Sequence, residues 1–342
     1  MKLALSDISK AELAERLGLK PFQGRQLFQW IHQKRVFDFA AMTNLSKELR
    51  ERLEAETVAS QLELVEMQVS KLAGTKKALF RLHDGETVES VLIRDKKRAT
   101  ICVSSQVGCA LKCDFCATGL AGFTRNLSPG EIAEQVLYML RDENIEDRTP
   151  NIVYMGMGEP MRNYDNVTAS IRLLMDEDGV GIGARKITVS TAGEVKEIER
   201  FTGEDWQVRL SVSLHAANNE LRSRLVPLNR KYPLERLHQA LRTYTERAER
   251  QLTFEWTMLN GVNDTPECAR ELLEYCMGIK VSINLIPWNP VSGLPYTPSP
   301  MAACLRFQKI LEHGGLTVTV RREKGQDIDA ACGQLRRTHG AA

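Results

Sequence analysis

Three hydrophobic patterns follow one another along the chain. Up to about Ala59 the apolar positions recur at helical spacing: "SKAELAERLGL" sets Leu13 and Leu17 four residues apart, with Ser9 and Glu12 as a capping box at its start. "FQGRQLFQWIHQ" and "LSKELRERLEAE" continue the pattern and predict a small three-helix unit. From about Leu62 to Arg94 the period falls to two, and "KALFRLHDGETVESVLIRD" predicts a hairpin turning at Asp84-Gly85. From Ala99 onward, short β-branched runs alternate with amphipathic helical stretches. The predicted strands are "TICVSS", "NIVYMG", "KITVST", "VRLSVSL", "LTFEWTML", "VSINLIP" and "LTVTVR". "SPGEIAEQVLYMLRDE" represents the helices, with Ser128 as cap, Pro129 in the first turn and Glu131 completing the box. Near-continuous strands alternating with helices predict an α/β fold, a parallel sheet covered by helices. Roughly six or seven repeats suit a barrel or an open partial barrel, whose sites sit at the carboxyl ends of the strands.

Composition narrows this picture only a little. The chain has 342 residues, 43% hydrophobic and 26% charged, which is ordinary for a globular protein. No apolar run approaches membrane-spanning length, and the N-terminus carries charges too early for a secretory signal, so a cytoplasmic protein with no membrane partner is expected. A net charge of +2 neither demands nor excludes a nucleic acid partner. The local run Arg222, Arg224, Arg230 and Lys231 reads equally as a solvated face or as a contact for an anionic partner.

The cysteines change it more. Eight cysteines in a long chain, clustered rather than spread, favour metal or catalytic use over a disulfide framework. Cys109, Cys113 and Cys116 follow the strand "TICVSS" in the loop "VGCALKCDFCATG". Three thiols are one short of a closed tetrahedral zinc site, and no fourth ligand stands nearby in a paired motif. A four-iron cluster held by three thiolates leaves one iron open. Glycines or polar residues recur just past the other strands: Gly156, Gly158 and Glu159 in "YMGMGEP", Ser190 in "TVSTAG", Ser213 and His215 in "SVSLHA", and Asn289 in "IPWNP". Singly each reads as a turn residue. At consecutive strand ends they suit a cofactor.

The three-cysteine spacing followed by Ala117-Thr118-Gly119 resembles the radical S-adenosylmethionine (SAM) superfamily. Taken with "GMGEP", "SLHA", "NLIPWNP" and "DIDAACGQL", it is similar to the bacterial 23S rRNA adenine-2-methyltransferases over nearly the whole chain. The resemblance implies a partial (β/α)6-type radical SAM barrel with a small N-terminal helical accessory domain. Its expected segments are 1–58 (RNA-binding helices), 59–94 (β-rich connection), 95–328 (core barrel) and 329–342 (the carrier of a methylated cysteine). It also implies one 4Fe-4S cluster on Cys109, Cys113 and Cys116, with SAM, two per turnover, held by Gly158, Glu159, Ser190, Ser213, Leu214, His215 and Asn289. The substrates would be 23S rRNA, at the peptidyl transferase centre, and adenosine-37 of tRNAs. A flavodoxin-type electron donor and a monomeric enzyme are implied by the same analogy.

In that family one SAM methylates a C-terminal cysteine, here Cys332, and a second yields the radical that takes a hydrogen from the methyl group. The carbon radical adds to the adenine, and a second cysteine, here Cys102, attacks the first sulfur to release product and leave a disulfide. From the residues alone, Cys102 reads equally as a strand core residue, whereas Cys332, beside Gly333 and flanked by Asp327 and Asp329, does not read as a core helix face. Alternation puts Glu89 on one face with Val91 and Ile93, at a rim or held for a purpose. The matching family position is a glutamate near the target adenine. Cys268, Cys276 and Cys304 fall in predicted helices and read as core. Two alternatives stand beside this reading: the carbon-8 relative that confers antibiotic resistance, which "VSSQVGCALKC" disfavours, and a non-catalytic RNA-binding protein with a structural metal site.

Overall fold

Ser9 and Glu12 exchange hydrogen bonds at the start of α1 (Lys10–Arg16), and α1 stops before Leu17 because Gly18 turns the chain at φ 60°. α2 (Pro21–Phe28) opens on proline, and α3 (Lys47–Glu56) on a Ser46 cap. The computed structural model describes residues 2–72, 74–95, 98–142, 149–321 and 325–335.

The period-two stretch forms β1 (Leu62–Val69), β2 (Lys76–Leu82) and β3 (Thr87–Asp95), and β4 (Arg98–Cys102) follows, each antiparallel to the one before. The β2–β3 hairpin turns at Asp84-Gly85, where Gly85 holds φ 84°. At β4 the sheet changes character. It runs on in parallel through β5 (Asn151–Tyr154), β6 (Ile187–Thr191), β7 (Arg209–Ser213), β8 (Leu252–Met258), β9 (Val281–Pro287) and β10 (Thr317–Val320). Among the described residues these ten strands form one sheet whose spatial order is the order of the chain, with β1 and β10 at its edges. The sheet is therefore an open partial barrel, and the β-rich stretch is its antiparallel wing.

Parallel neighbours need crossovers. These are α4 (Pro129–Asp142), α5 (Tyr164–Met175), α6 (Val195–Thr202), α7 (Asn219–Leu225), α8 (Leu234–Ala248), α9 (Pro266–Tyr275) and α10 (Met301–His313). Ser128 and Glu131 cap α4 reciprocally as expected, while the expected last helical residue, Glu143, and residues 336–342 of the expected C-terminal segment lie outside the described residues. No described helix is long and apolar enough to cross a membrane.

The N-terminal helices pack Leu13, Leu27, Phe28, Leu49 and Leu53 into a small core that Leu137 of α4 and Leu173 of α5 complete. Lys10 bridges Asp176 (3.0 Å) and Asp178 (2.7 Å) across the same junction. Where the helical unit passes into β1, buried Glu134 of α4 accepts from Ser60 Oγ (2.7 Å) and from the N–H groups of Gln61 (2.9 Å) and Leu62 (3.1 Å). Burial pushes that carboxyl up to about 7 against the pull of these bonds.

Two expectations need correction. The basic run does not share one face: Arg224, Arg230 and Lys231 are exposed, but Arg222 is fully buried. Its guanidinium donates to the carbonyls of Ala192 (2.6 Å) and Leu214 (3.2 Å), at the ends of β6 and β7, and to Asn229 Oδ1 (3.0 Å). Burying a cation is tolerated where acceptors replace water in this way. Cys276 caps α9 rather than lying within it, although Cys268, Cys276 and Cys304 are all buried as expected.

Candidate active site

The carboxyl ends of the parallel strands open onto a cavity of about 690 Å³. Its wall includes Cys109, Cys113 and Cys116, the strand-end residues Gly158, Glu159, Ser190, Ser213, His215 and Asn289, and both Cys102 and Cys332.

The three-cysteine loop is held at both ends. Gln106–Gly108 pairs with Phe123–Asn126, and Gly108 sits at φ 74°, where an added Cβ would strike the Gly122 carbonyl. Cys109 N–H donates to that carbonyl (2.7 Å), and Cys116 N–H to Cys113 O (3.3 Å). From the far side, Trp288 Nε1 donates to Phe115 O (3.0 Å) and Tyr296 Oη to Asp114 Oδ2 (2.5 Å). Burial pushes Cys109 up to about 12 and Cys113 well above the ordinary thiol range, so a metal there takes the place of the thiol protons. Among the described residues no three His, Cys, Asp or Glu groups gather tightly enough to clasp a single ion. A cubane does not ask for that, because each thiolate binds its own iron. Three soft donors on one braced loop at the cavity wall, with no fourth from the motif, fit a four-iron cluster that keeps one iron without a protein ligand.

Beyond β5, Gly158 holds φ 102°, and a Cβ there would lie 2.6 Å from that of Gln106. Gln106 Oε1 in turn accepts from Glu159 N–H (2.8 Å). The buried Glu159 carboxylate accepts from the N–H groups of Met161 (3.0 Å) and Ala192 (2.8 Å), and burial pushes it up to about 7. His215 sits past β7 at φ 61°, a strained angle for a side-chain-bearing residue, and Asn263 Nδ2 holds its carbonyl (2.9 Å). Burial pulls the ring down to about 3, so it is neutral. Because Nδ1 accepts from Thr257 N–H (3.0 Å), the network assigns the proton to Nε2. Leu214 is not brought to the cavity wall: it is fully buried, its N–H donating to Glu255 O (3.0 Å) and its carbonyl receiving Arg222.

Cys102 ends β4, paired with Val91 on one side and Val153 on the other. Burial, chiefly, pushes its thiol up to about 12; Cys332 adds to the rise and Arg321 opposes it. Cys332 is half-buried on the turn after β10, and that turn is docked rather than loose. Asn289 Nδ2 donates to Cys332 O (3.1 Å), Ala117 N–H to Gly333 O (2.9 Å) and Thr118 Oγ1 to Leu335 O (2.6 Å). Asp327 accepts from Ser70 Oγ (2.7 Å) and Lys71 N–H (3.0 Å). Arg321 Nη1 lies 3.3 Å from Cys332 Sγ.

Glu89 is not on the cavity wall. It is buried with Lys77 in an ion pair of 3.0 Å, since Lys77 stands opposite Val91 and so diagonal to Glu89 across β2 and β3. Lys77 also reaches Asp329 O in the Cys332 turn (3.5 Å). Among the wall residues that the sequence reading missed are Arg321, Trp288 and Glu255. Glu255 accepts from Ser211 Oγ (3.0 Å) and Asn284 Nδ2 (2.8 Å), and burial raises its carboxyl. A lone acid inside the apolar run "LTFEWTML" was the available signal for it.

Residues 4–59 match the family described as the ribosomal RNA large subunit methyltransferase N-terminal domain, and residues 103–276 match the radical SAM superfamily. The chain is 49% identical to the dual-specificity RNA methyltransferase RlmN of Alkalilimnicola ehrlichii, over 93% of this chain and 89% of that one. It is 45% identical to the probable dual-specificity RNA methyltransferase RlmN of Caldanaerobacter subterraneus, over 98% of each. Among solved structures, a radical SAM methyltransferase from Sphaerobacter thermophilus superimposes with a TM-score of 0.95 at 45% identity, covering 98% of this chain and 99% of that one.

Proposed function

The chain belongs to the RlmN family of dual-specificity RNA methyltransferases within the radical SAM superfamily, and from that membership we propose that it methylates carbon 2 of one adenosine in the peptidyl transferase centre of 23S rRNA and of adenosine-37 in tRNAs. The observation that supports this reading is the meeting of Cys102 and Cys332, from distant parts of the sequence, in one cavity with the three-cysteine loop. A flavodoxin-type electron donor, a monomeric enzyme and a cytoplasmic setting complete the proposal and rest on the family resemblance.

Cys109, Cys113 and Cys116 would each give a thiolate to a 4Fe-4S cluster, which supplies the electron that splits the sulfonium of SAM. Glu159 offers a carboxylate to an ammonium group, and the neutral His215 ring offers an N–H donor at Nε2. Cys332 accepts the methyl group first. Adenine carbon 2 is electron-poor and repels the electrophilic methyl of a sulfonium, but a carbon radical adds to it. The S-methyl group of Cys332, relieved of one hydrogen atom, is that carbon. Once the adduct has given up its unpaired electron to the oxidised iron–sulfur centre and its C2 proton to a base, the Cys102 thiolate attacks the Cys332 sulfur and breaks the S–CH2 bond; the released carbon takes a proton to become the methyl group, and the two cysteines are left as a disulfide. Glu89, which the family resemblance sets near the target adenine as proton acceptor or ring contact, is paired with Lys77, and Lys77 also reaches the turn that carries Cys332.

The test is product mapping. Anaerobically purified enzyme, given rRNA and tRNA transcripts, SAM and a reductant, is expected to yield 2-methyladenosine in nuclease digests of both. 8-Methyladenosine, or methylation at neither RNA, would overturn the reading.

A further inference from the structure

We infer that Arg321 is the positioning residue that holds Cys332 as the thiolate nucleophile and so selects it, rather than Cys102, as the methyl acceptor. Arg321 Nη1 lies 3.3 Å from Cys332 Sγ, within reach of a charge-assisted bond to sulfur. Its backbone N–H donates to Leu285 O (2.8 Å), so the residue extends the pairing of β10 with β9 and its guanidinium projects from a fixed base. A guanidinium keeps its charge across the whole working pH range.

Cys102 and Cys332 are the two thiols of the cavity wall outside the three-cysteine loop. Cys102 lies at the end of a paired strand, and burial dominates its behaviour, holding it protonated. Arg321 opposes that rise without overcoming it, and its hydrogen bond goes to the other sulfur. The charged and titratable groups that the described residues bring to this end of the cavity include Arg321 from β10, Cys102 from β4 and Glu255 from β8, with Lys77, Glu89 and Asp329 behind the turn. Of these groups, Arg321 is the cation with a hydrogen bond to the Cys332 sulfur.

Methyl displacement needs the thiolate. The Cys332 proton leaves to solvent, and the sulfur lone pair forms the S–CH3 bond. The sulfonium C–S bond breaks, and S-adenosylhomocysteine departs with its electron pair. The product thioether is neutral and a weak acceptor, so the Arg321 contact loosens after the first transfer and leaves the S-methyl group free for the second step.

The inference rests on the reading of Cys332 as methyl carrier. Its test reads the thiol itself, so the two can fail separately: that reading fails if Cys332 peptides never carry methyl after incubation with SAM. Cluster-bearing protein is treated with iodoacetamide from pH 5 to 10, and the unmethylated Cys332 peptide is followed by mass spectrometry. Arg321→Met is expected to slow alkylation at pH 7 by about tenfold and to shift the pH–rate profile to higher pH while leaving the alkaline plateau unchanged. Arg321→Lys, which keeps a cation, should fall between the two. Wild-type rates in Arg321→Met, or an equal slowing at every pH including the plateau, would overturn the inference, the second because it reports lost access rather than lost charge.

Discussion

Cys102 and Cys332 share a cavity but are held in opposite ways. Cys102 is fixed by backbone ladders on both sides, and Ser90 Oγ also donates to its carbonyl (2.8 Å). Cys332 and its turn are held mostly by side chains from separate places, among them Asn289, Thr118 beside the Ala117 N–H in the cysteine loop, Arg321 at the sulfur, and Ser70 at the far end of β1 through Asp327. Ladder bonds are lost together or not at all, whereas side-chain tethers release one at a time. The chemistry asks the same of each. Cys332 must meet a methyl donor, an adenine and then Cys102, while Cys102 has only to wait.

Removing the held sulfur is the largest test of this contrast. Cys332→Ala should give neither methylated RNA nor a protein–RNA adduct, since no methyl is loaded; turnover by this variant would end the account of the loop. Lys77→Met comes next. It removes the cation that Glu89 meets at 3.0 Å between buried strands, where both side chains are at most 10% exposed, and should cost about 3–5 kcal/mol in urea unfolding. Lys77→Met with Glu89→Leu should recover most of that loss, and equal destabilisation of the single and double variants would show that the pair is not what matters.

Asn289→Ala loosens Cys332 and leaves the Cys102 strand intact. Methylation is expected to fall about tenfold with little change in stability, so a large stability loss would mean the tether is part of the core. Smallest is Asp327. The bond from Ser70 holds its carboxyl below the ordinary value of 3.8, so the tether is complete above that pH and lost as pH falls through the lowered value. Asp327→Asn should raise amide exchange in residues 325–335 by about twofold at pH 7, with exchange in β4 unchanged.

Much of this was legible before the fold was seen. β-branched runs placed all seven parallel strands, Ser9–Glu12 and Ser128–Glu131 marked two helix starts, and the three-cysteine spacing marked the loop. Those signals are local, set by neighbours a few residues away. What stayed hidden depends on groups that only the fold brings together. Arg222 looked like one more surface cation because its acceptors are carbonyls at two strand ends. Asn289 lies on the cavity wall, but its second task was hidden: its amide braces the turn by donating to Cys332 O and accepting from Gln326 Nε2 (3.1 Å). Glu89 showed no partner in the sequence, because Lys77 reaches it only through the diagonal register of β2 and β3.

The central claim is that Cys332 carries the carbon and Cys102 ends the reaction. Cys102→Ala, incubated with labelled RNA, SAM and reductant, tests it most directly on a denaturing gel followed by mass spectrometry of the retarded band. The account predicts an RNA-linked protein that accumulates, with the link on the Cys332 peptide. Normal release of methylated RNA by Cys102→Ala, with no retarded band, would contradict it.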